Sequence, residues 1–84
     1  MNAIVEIPTR VRSIELRVRE CMARRGIRSV AELHRRLLVI GVEISHPQLI
    51  RIVDNAAKHL SVPLLNGLLQ VLDCSVTEMI GEAS

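Results

Sequence analysis

Phe, Tyr and Trp are absent from the chain. Modules that bind RNA or single-stranded nucleic acid stack bases on aromatic platforms. Their absence argues against those partners and leaves duplex DNA, whose backbone and base edges are read by Arg, Lys and amide side chains. No apolar run approaches the roughly 20 residues a membrane-spanning helix needs, and the N-terminus does not show the charged, apolar and small-residue order of an export signal. The expected compartment is therefore the cytosol, with no membrane partner. Only two cysteines occur, Cys21 and Cys74, and inside a cell they read as reduced core residues. Cys21, His34, His46, His59 and Cys74 are scattered singly, without the close pairs that structural zinc sites use. No Ser/His/Asp or Cys/His arrangement, Gly-rich phosphate loop or paired carboxylate stands out. The sequence therefore gives no reason to expect an enzyme, a metal site or a cofactor.

What is present is aliphatic. Of 84 residues, 49% are hydrophobic, enough for one compact domain with a modest core and too apolar for a disordered chain. The net charge of +2 conceals a segregation. All 11 Lys and Arg precede residue 61, where six acidic residues leave a net +5, while Asp73, Glu78 and Glu82 make the remainder −3. A basic front and an acidic back suit a protein that docks one side on phosphate, although a small domain can acquire such asymmetry by chance.

Residues 1–10 read as an N-terminal arm and 11–81 as the folded domain. Asn2 to Ile7 is short, apolar and β-branched, and Pro8 stops it, so an extended arm is favoured over helix. Such a strand must pair with a partner, lie over the domain or stay mobile. From Val11 a helical period places Val11, Ile14, Val18, Cys21 and Met22 on one face. Leu16 falls off that stripe, available to the arm or to another subunit, and Gly26 after Arg24 and Arg25 stops the helix. Ser29 and Glu32 form an S-x-x-E box opening a second helix with Val30, Leu33 and Leu37 inside, ending near Leu38. Ser61 caps a fourth helix with Leu64, Leu65, Leu68, Leu69 and Leu72 on one stripe, in which Gly67 weakens the helix but permits close packing. Asp73 and Cys74 turn the chain. Ser75 and Glu78 then open a short last helix through Met79 and Ile80, ended by Gly81.

The stretch from Gly41 to Asn55 organises the rest. Gly41 allows a sharp reversal. Ser45 caps a helix, Gln48 completes an S-x-x-Q box, and Pro47 sits in the first turn, where its missing N–H costs nothing. Leu49, Ile52 and Val53 recur at helical spacing and fix the buried face. The opposite face carries Pro47, Gln48, Ile50, Arg51 and Asp54, with His46 at the start and Asn55 at the end. A Gln and an Arg on the first half of a short helix match what base-edge readout in a major groove requires. On this helix alone, a solvated surface face is the better explanation of them.

Ala31-Glu32-Leu33, Leu37, Gly41 to Ser45 and Leu49 to Val53, followed by Leu60 to Ile80, resemble the lambda-repressor and Cro-like helix-turn-helix DNA-binding domains. The resemblance spans about residues 12–80. It implies an all-α fold: a compact bundle of four to five short helices containing a helix-turn-helix, preceded by the arm. It also implies a sequence-specific regulator of transcription, a homodimeric repressor on a palindromic double-stranded DNA operator. Gln48 and Arg51 would then read adenine and guanine, and Ser45, His46 and Asn55 would touch phosphate or base edges. Arg35, Arg36, Lys58 and His59 are candidate phosphate contacts, each of which can equally be solvated basic surface. Ile50 can meet a thymine methyl or stand exposed. The dimer surface is expected either on the arm or, preferentially, from Leu68 to Ile80. An alternative is an antitoxin-like interaction module that binds a protein partner as well as DNA, using the exposed apolar residues Ile4, Val5, Ile7 and Leu16. Two departures stand out: His34 occupies a position usually held by a small Ala, and the connection from Leu37 to Ser45 is longer than the tight family turn.

Overall fold

A computed structural model describes residues 13–82; the arm, with Ile4, Val5 and Ile7, lies outside them, as does Val11. The order of elements is β1 (Ile14–Leu16), α1 (Val18–Arg25), α2 (Val30–Val39), α3 (His46–Val53), α4 (Val62–Leu72), α5 (Val76–Met79) and β2 (Ile80–Glu82). Five short helices surround one core of Val18, Cys21, Met22, Ile27, Leu33, Leu37, Leu49, Ile52, Val53, Leu64, Leu68, Val71, Leu72 and Met79.

The two ends of the domain depart from the sequence expectation. Residues 14–16 are a strand rather than the first turn of a helix, and α1 begins only at Val18. β1 pairs antiparallel with β2, Ile14 opposite Glu82, Glu15 opposite Gly81 and Leu16 opposite Ile80. The Arg17 N–H continues the ladder by donating to the Met79 carbonyl at 2.7 Å. Ile80 therefore starts a strand where a helical residue was expected, and Ile14, assigned to a buried helical face, is 66% exposed. A three-residue strand has no periodicity long enough to separate from the helix that follows it, and its partner lies at the other end of the chain. Leu16 packs against the core cluster.

Capping chemistry sets most helix starts. Ser29, Ser45, Ser61 and Ser75 are N-caps whose hydroxyls accept the backbone N–H of Glu32, Gln48, Leu64 and Glu78. At Ser45 and Ser75 the box is reciprocal. At Ser29 only half forms, because the Glu32 carboxylate accepts from the Arg28 N–H and pairs with Arg36 instead. α1 ends where Gly26 takes φ +79°, and the Ile27 N–H reaches back to the Met22 carbonyl. Gly41, at φ +88°, performs the same reversal after α2. The α4 stripe centres one position away from the expected leucines. Leu64, Gly67, Leu68, Val71 and Leu72 are buried, while Leu65 and Leu69 are only partly covered.

Gly67 positions the helix-turn-helix. A Cβ there would stand 2.6 Å from Val42 Cγ2 and 3.4 Å from Leu37 Cδ2. α4 thus lies directly against the turn between α2 and α3, and the close packing expected at this glycine is present.

Candidate nucleic-acid interface

α3 buries Leu49, Ile52 and Val53 and leaves Pro47, Gln48, Ile50 and Arg51 exposed. Its start is held by three contacts. The Gln48 N–H donates to Ser45 Oγ at 3.2 Å, while the Ser45 N–H and hydroxyl both donate to Gln48 Oε1, at 3.2 and 3.1 Å. A backbone N–H can only donate, so the amide orientation is fixed: the oxygen faces the helix start and the NH2 faces away. One residue therefore caps its own helix and presents a donor pair to whatever lies over α3.

Arg51 is one helical turn further along the same face. With Gln48, Ile52, Ala56, Ala57, Lys58 and His59 it lines an open groove of about 610 Å³. The segment 56–59 thus returns beside the exposed face of α3, bringing Lys58 and His59 to Gln48 and Arg51. Nothing in the local pattern of residues 54–60 showed this; its cause is the reversal at Asn55, which takes φ +59°.

Asn55, just past the end of α3, has a structural role that its sequence position did not show. Its Oδ1 accepts from the Leu16 N–H at 2.7 Å and its Nδ2 donates to the Leu16 carbonyl at 2.9 Å. The amide substitutes for a neighbouring strand on the outer edge of β1, so each of its polar atoms already has one partner within the domain. The neighbouring Asp54, expected on the exposed face, pairs with Arg19 at 2.7 Å and ties the end of α3 to α1.

The longer turn, residues 40–45, is braced by the unexpected histidine. His34 Nε2 lies 2.6 Å from the Ile44 carbonyl. A carbonyl only accepts, so this nitrogen carries the proton and donates. The His34 ring also meets His46 edge to face, with centroids 5.6 Å apart. Where a small residue would let α2 and α3 approach directly, His34 spans the extra turn and steadies His46 at the start of α3.

Charge is distributed unevenly over the arginines. Arg19 and Arg24 are neutralised by Asp54 and Glu78, Arg17 lies 3.6 Å from Glu15, and Arg36 pairs with Glu32 at 2.9 Å. Arg25, Arg28, Arg35, Arg51 and Lys58 form no ion pair among the described residues. Arg28, just before the α2 cap, was not singled out from sequence; its signal was its position at the start of the first helix of the pair. Exposed ion pairs of this kind add little stability, about 0–1 kcal/mol each. They leave uncompensated cations on α2, α3 and the segment after α3, and also at Arg25 on α1 and Arg28 before α2. Among the described residues no three His, Cys, Asp or Glu side chains gather as a metal would need, and no helix is long and apolar enough to cross a membrane.

A bundle whose second and third helices are joined by a glycine turn, with the third presenting amide and guanidinium groups, defines a helix-turn-helix protein. Residues 17–81 match the family model of the Cro/C1-type HTH DNA-binding domain, and the chain belongs to that family. Searches among curated proteins and solved structures returned no match. The protein is thus a DNA-binding protein of the kind that serves transcription regulation.

Proposed function

We propose that the protein is a sequence-specific transcriptional repressor that occupies a palindromic operator as a homodimer, with α3 in the major groove. The observation that carries this reading is the exposed face of α3. It presents the free Gln48 NH2 and the unpaired Arg51 side by side, flanked by Lys58 and His59. Arg51 has the donors for guanine O6 and N7. Gln48 can donate to a base acceptor without opening its box, whereas two-pronged recognition of adenine would require its oxygen to leave Ser45. Ser45 and His46 at the start of α3, and Arg28 and Arg35 on the α2 side, are the residues we assign to phosphate. Arg36 is the weaker candidate, since Glu32 already holds it.

One short helix covers too few base pairs to discriminate a site within a genome, which is the argument for two-fold symmetry. The segment from Leu68 to Ile80 buries Leu68, Val71, Leu72 and Met79 in its own core. Val76, 52% exposed, is the apolar residue it offers a second copy. The antitoxin-like alternative draws on the exposed run Leu38, Val39 and Ile40 at the end of α2, which DNA contact does not explain.

Selection of bound duplexes from a random pool tests the proposal. The expected product is a two-fold symmetric site whose half-site centres lie about 10 base pairs apart or at a multiple of that turn. Enrichment of no sequence, or of a single asymmetric half-site by a monomer, would overturn it.

A further inference from the structure

The two cysteines, far apart in sequence, share a cleft that no residue of α3 lines. Cys21 on α1 and Cys74 in the turn after α4 line one cleft of about 230 Å³, together with Arg24, Arg25, Leu72, Asp73 and Glu78. The Cys21 thiol donates toward the Glu78 carbonyl at 3.9 Å, and Cys74 lines the same cleft beside it. Cys21 is buried and Cys74 is partly exposed. One sulfur is within reach of a solute, and the other stands behind it. Cys74 sits in a turn, just after Asp73 at φ +50°, and not within a helix that would fix its distance from α1.

We propose that Cys21 and Cys74 are a modification site, a dithiol that a low-molecular-weight disulfide converts to an intramolecular disulfide joining α1 to the α4–α5 turn. The Cys74 thiolate attacks one sulfur of the reagent disulfide, forming a mixed disulfide and releasing one thiol, which takes up the proton Cys74 gave up. Cys21 then attacks the Cys74 sulfur of the mixed disulfide and expels the second thiol. The protein loses two protons and two electrons, and one reagent disulfide takes them up to become two thiols. Burial, followed by the hydrogen bond to Cys21, pushes the Cys74 thiol up to about 11. The first step is therefore slow at neutral pH and accelerates in alkali as the thiolate forms. Arg24, Arg25, Asp73 and Glu78 are the charged side chains lining this cleft. The product closes a loop of roughly 50 residues, which restricts the unfolded chain strongly.

The test is incubation of the folded full chain with glutathione disulfide, followed by alkylation, mass spectrometry and thermal unfolding. The expected product is a monomer about 2 Da lighter that takes up no alkylating reagent. Its Tm should rise by about 10 °C or more, reversibly with dithiothreitol. Cys74→Ser, which keeps the buried Cys21, should show neither change. A stable mixed disulfide on Cys74, a disulfide-linked dimer, or a bond that forms only in denaturant would overturn the proposal.

Discussion

The side-chain oxygen of Gln48 faces the Ser45 N–H, so the amide that starts α3 is also the amide whose NH2 lies exposed beside Arg51. Cap and readout use opposite ends of one group, and substitutions can separate them. Gln48→Glu keeps an acceptor at the third helical position and favours the helix dipole. It should leave the Tm unchanged or slightly raised while reducing affinity for the selected duplex at least tenfold, because it removes the donor and sets a negative charge against DNA. Gln48→Ala should lose about 1 kcal/mol of stability along with the affinity. Thermal unfolding and a binding titration on each variant check both statements.

Asn55 carries the opposite expectation. Replacing it with Ala removes both bonds to Leu16 and places an ordinary side chain at φ +59°. The expected cost is about 2–3 kcal/mol by denaturant unfolding. The base preferences of the folded fraction should be unchanged. A variant of normal stability with an altered preferred sequence would return Asn55 to the DNA.

Gly67→Ala sets two effects against each other. Helix propensity gains up to about 1 kcal/mol, while the clash with Val42 costs about 1–3 kcal/mol because α4 backs the turn at that point. The net expectation is a loss near 1 kcal/mol that shrinks when Val42→Ala accompanies it. A double-mutant cycle measures the coupling.

Acid should weaken the end of the domain. Bonds from the Ser75 backbone and hydroxyl, and then the Arg24 guanidinium, hold the Glu78 carboxyl below its ordinary value of 4.5. A carboxyl lowered on folding stabilises the folded state above the unfolded value, and that contribution disappears as pH falls through the folded one. The Tm of the native chain should therefore fall as pH drops below about 4.5, and that of Glu78→Gln should fall less steeply. Parallel curves for the two would remove Glu78 as a cause.

The helices were legible because capping is local. Ser29, Ser45, Ser61 and Ser75 each announce a start within four residues, and Gly26 and Gly41 announce reversals. The β1–β2 pair was not legible, since Leu16 and Ile80 meet only after the whole bundle has closed. In the site, Gln48 and Arg51 could be placed from helical spacing alone. The long-range side-chain partners could not: the neutralisation of Arg19 and the tie between Asn55 and Leu16 depend on contacts 35 and 39 residues apart, and that of Arg24 on one 54 residues apart.

The central claim is that the exposed face of α3 reads base sequence. Its most direct measurement is the affinity of the native chain and of Arg51→Ala for the selected duplex and for random duplex at one salt concentration. The expected loss for Arg51→Ala is about 1–3 kcal/mol on the selected site and much less on random DNA. Equal losses on both would mean that Arg51 touches only phosphate, and would contradict the assignment of α3 as the reading helix.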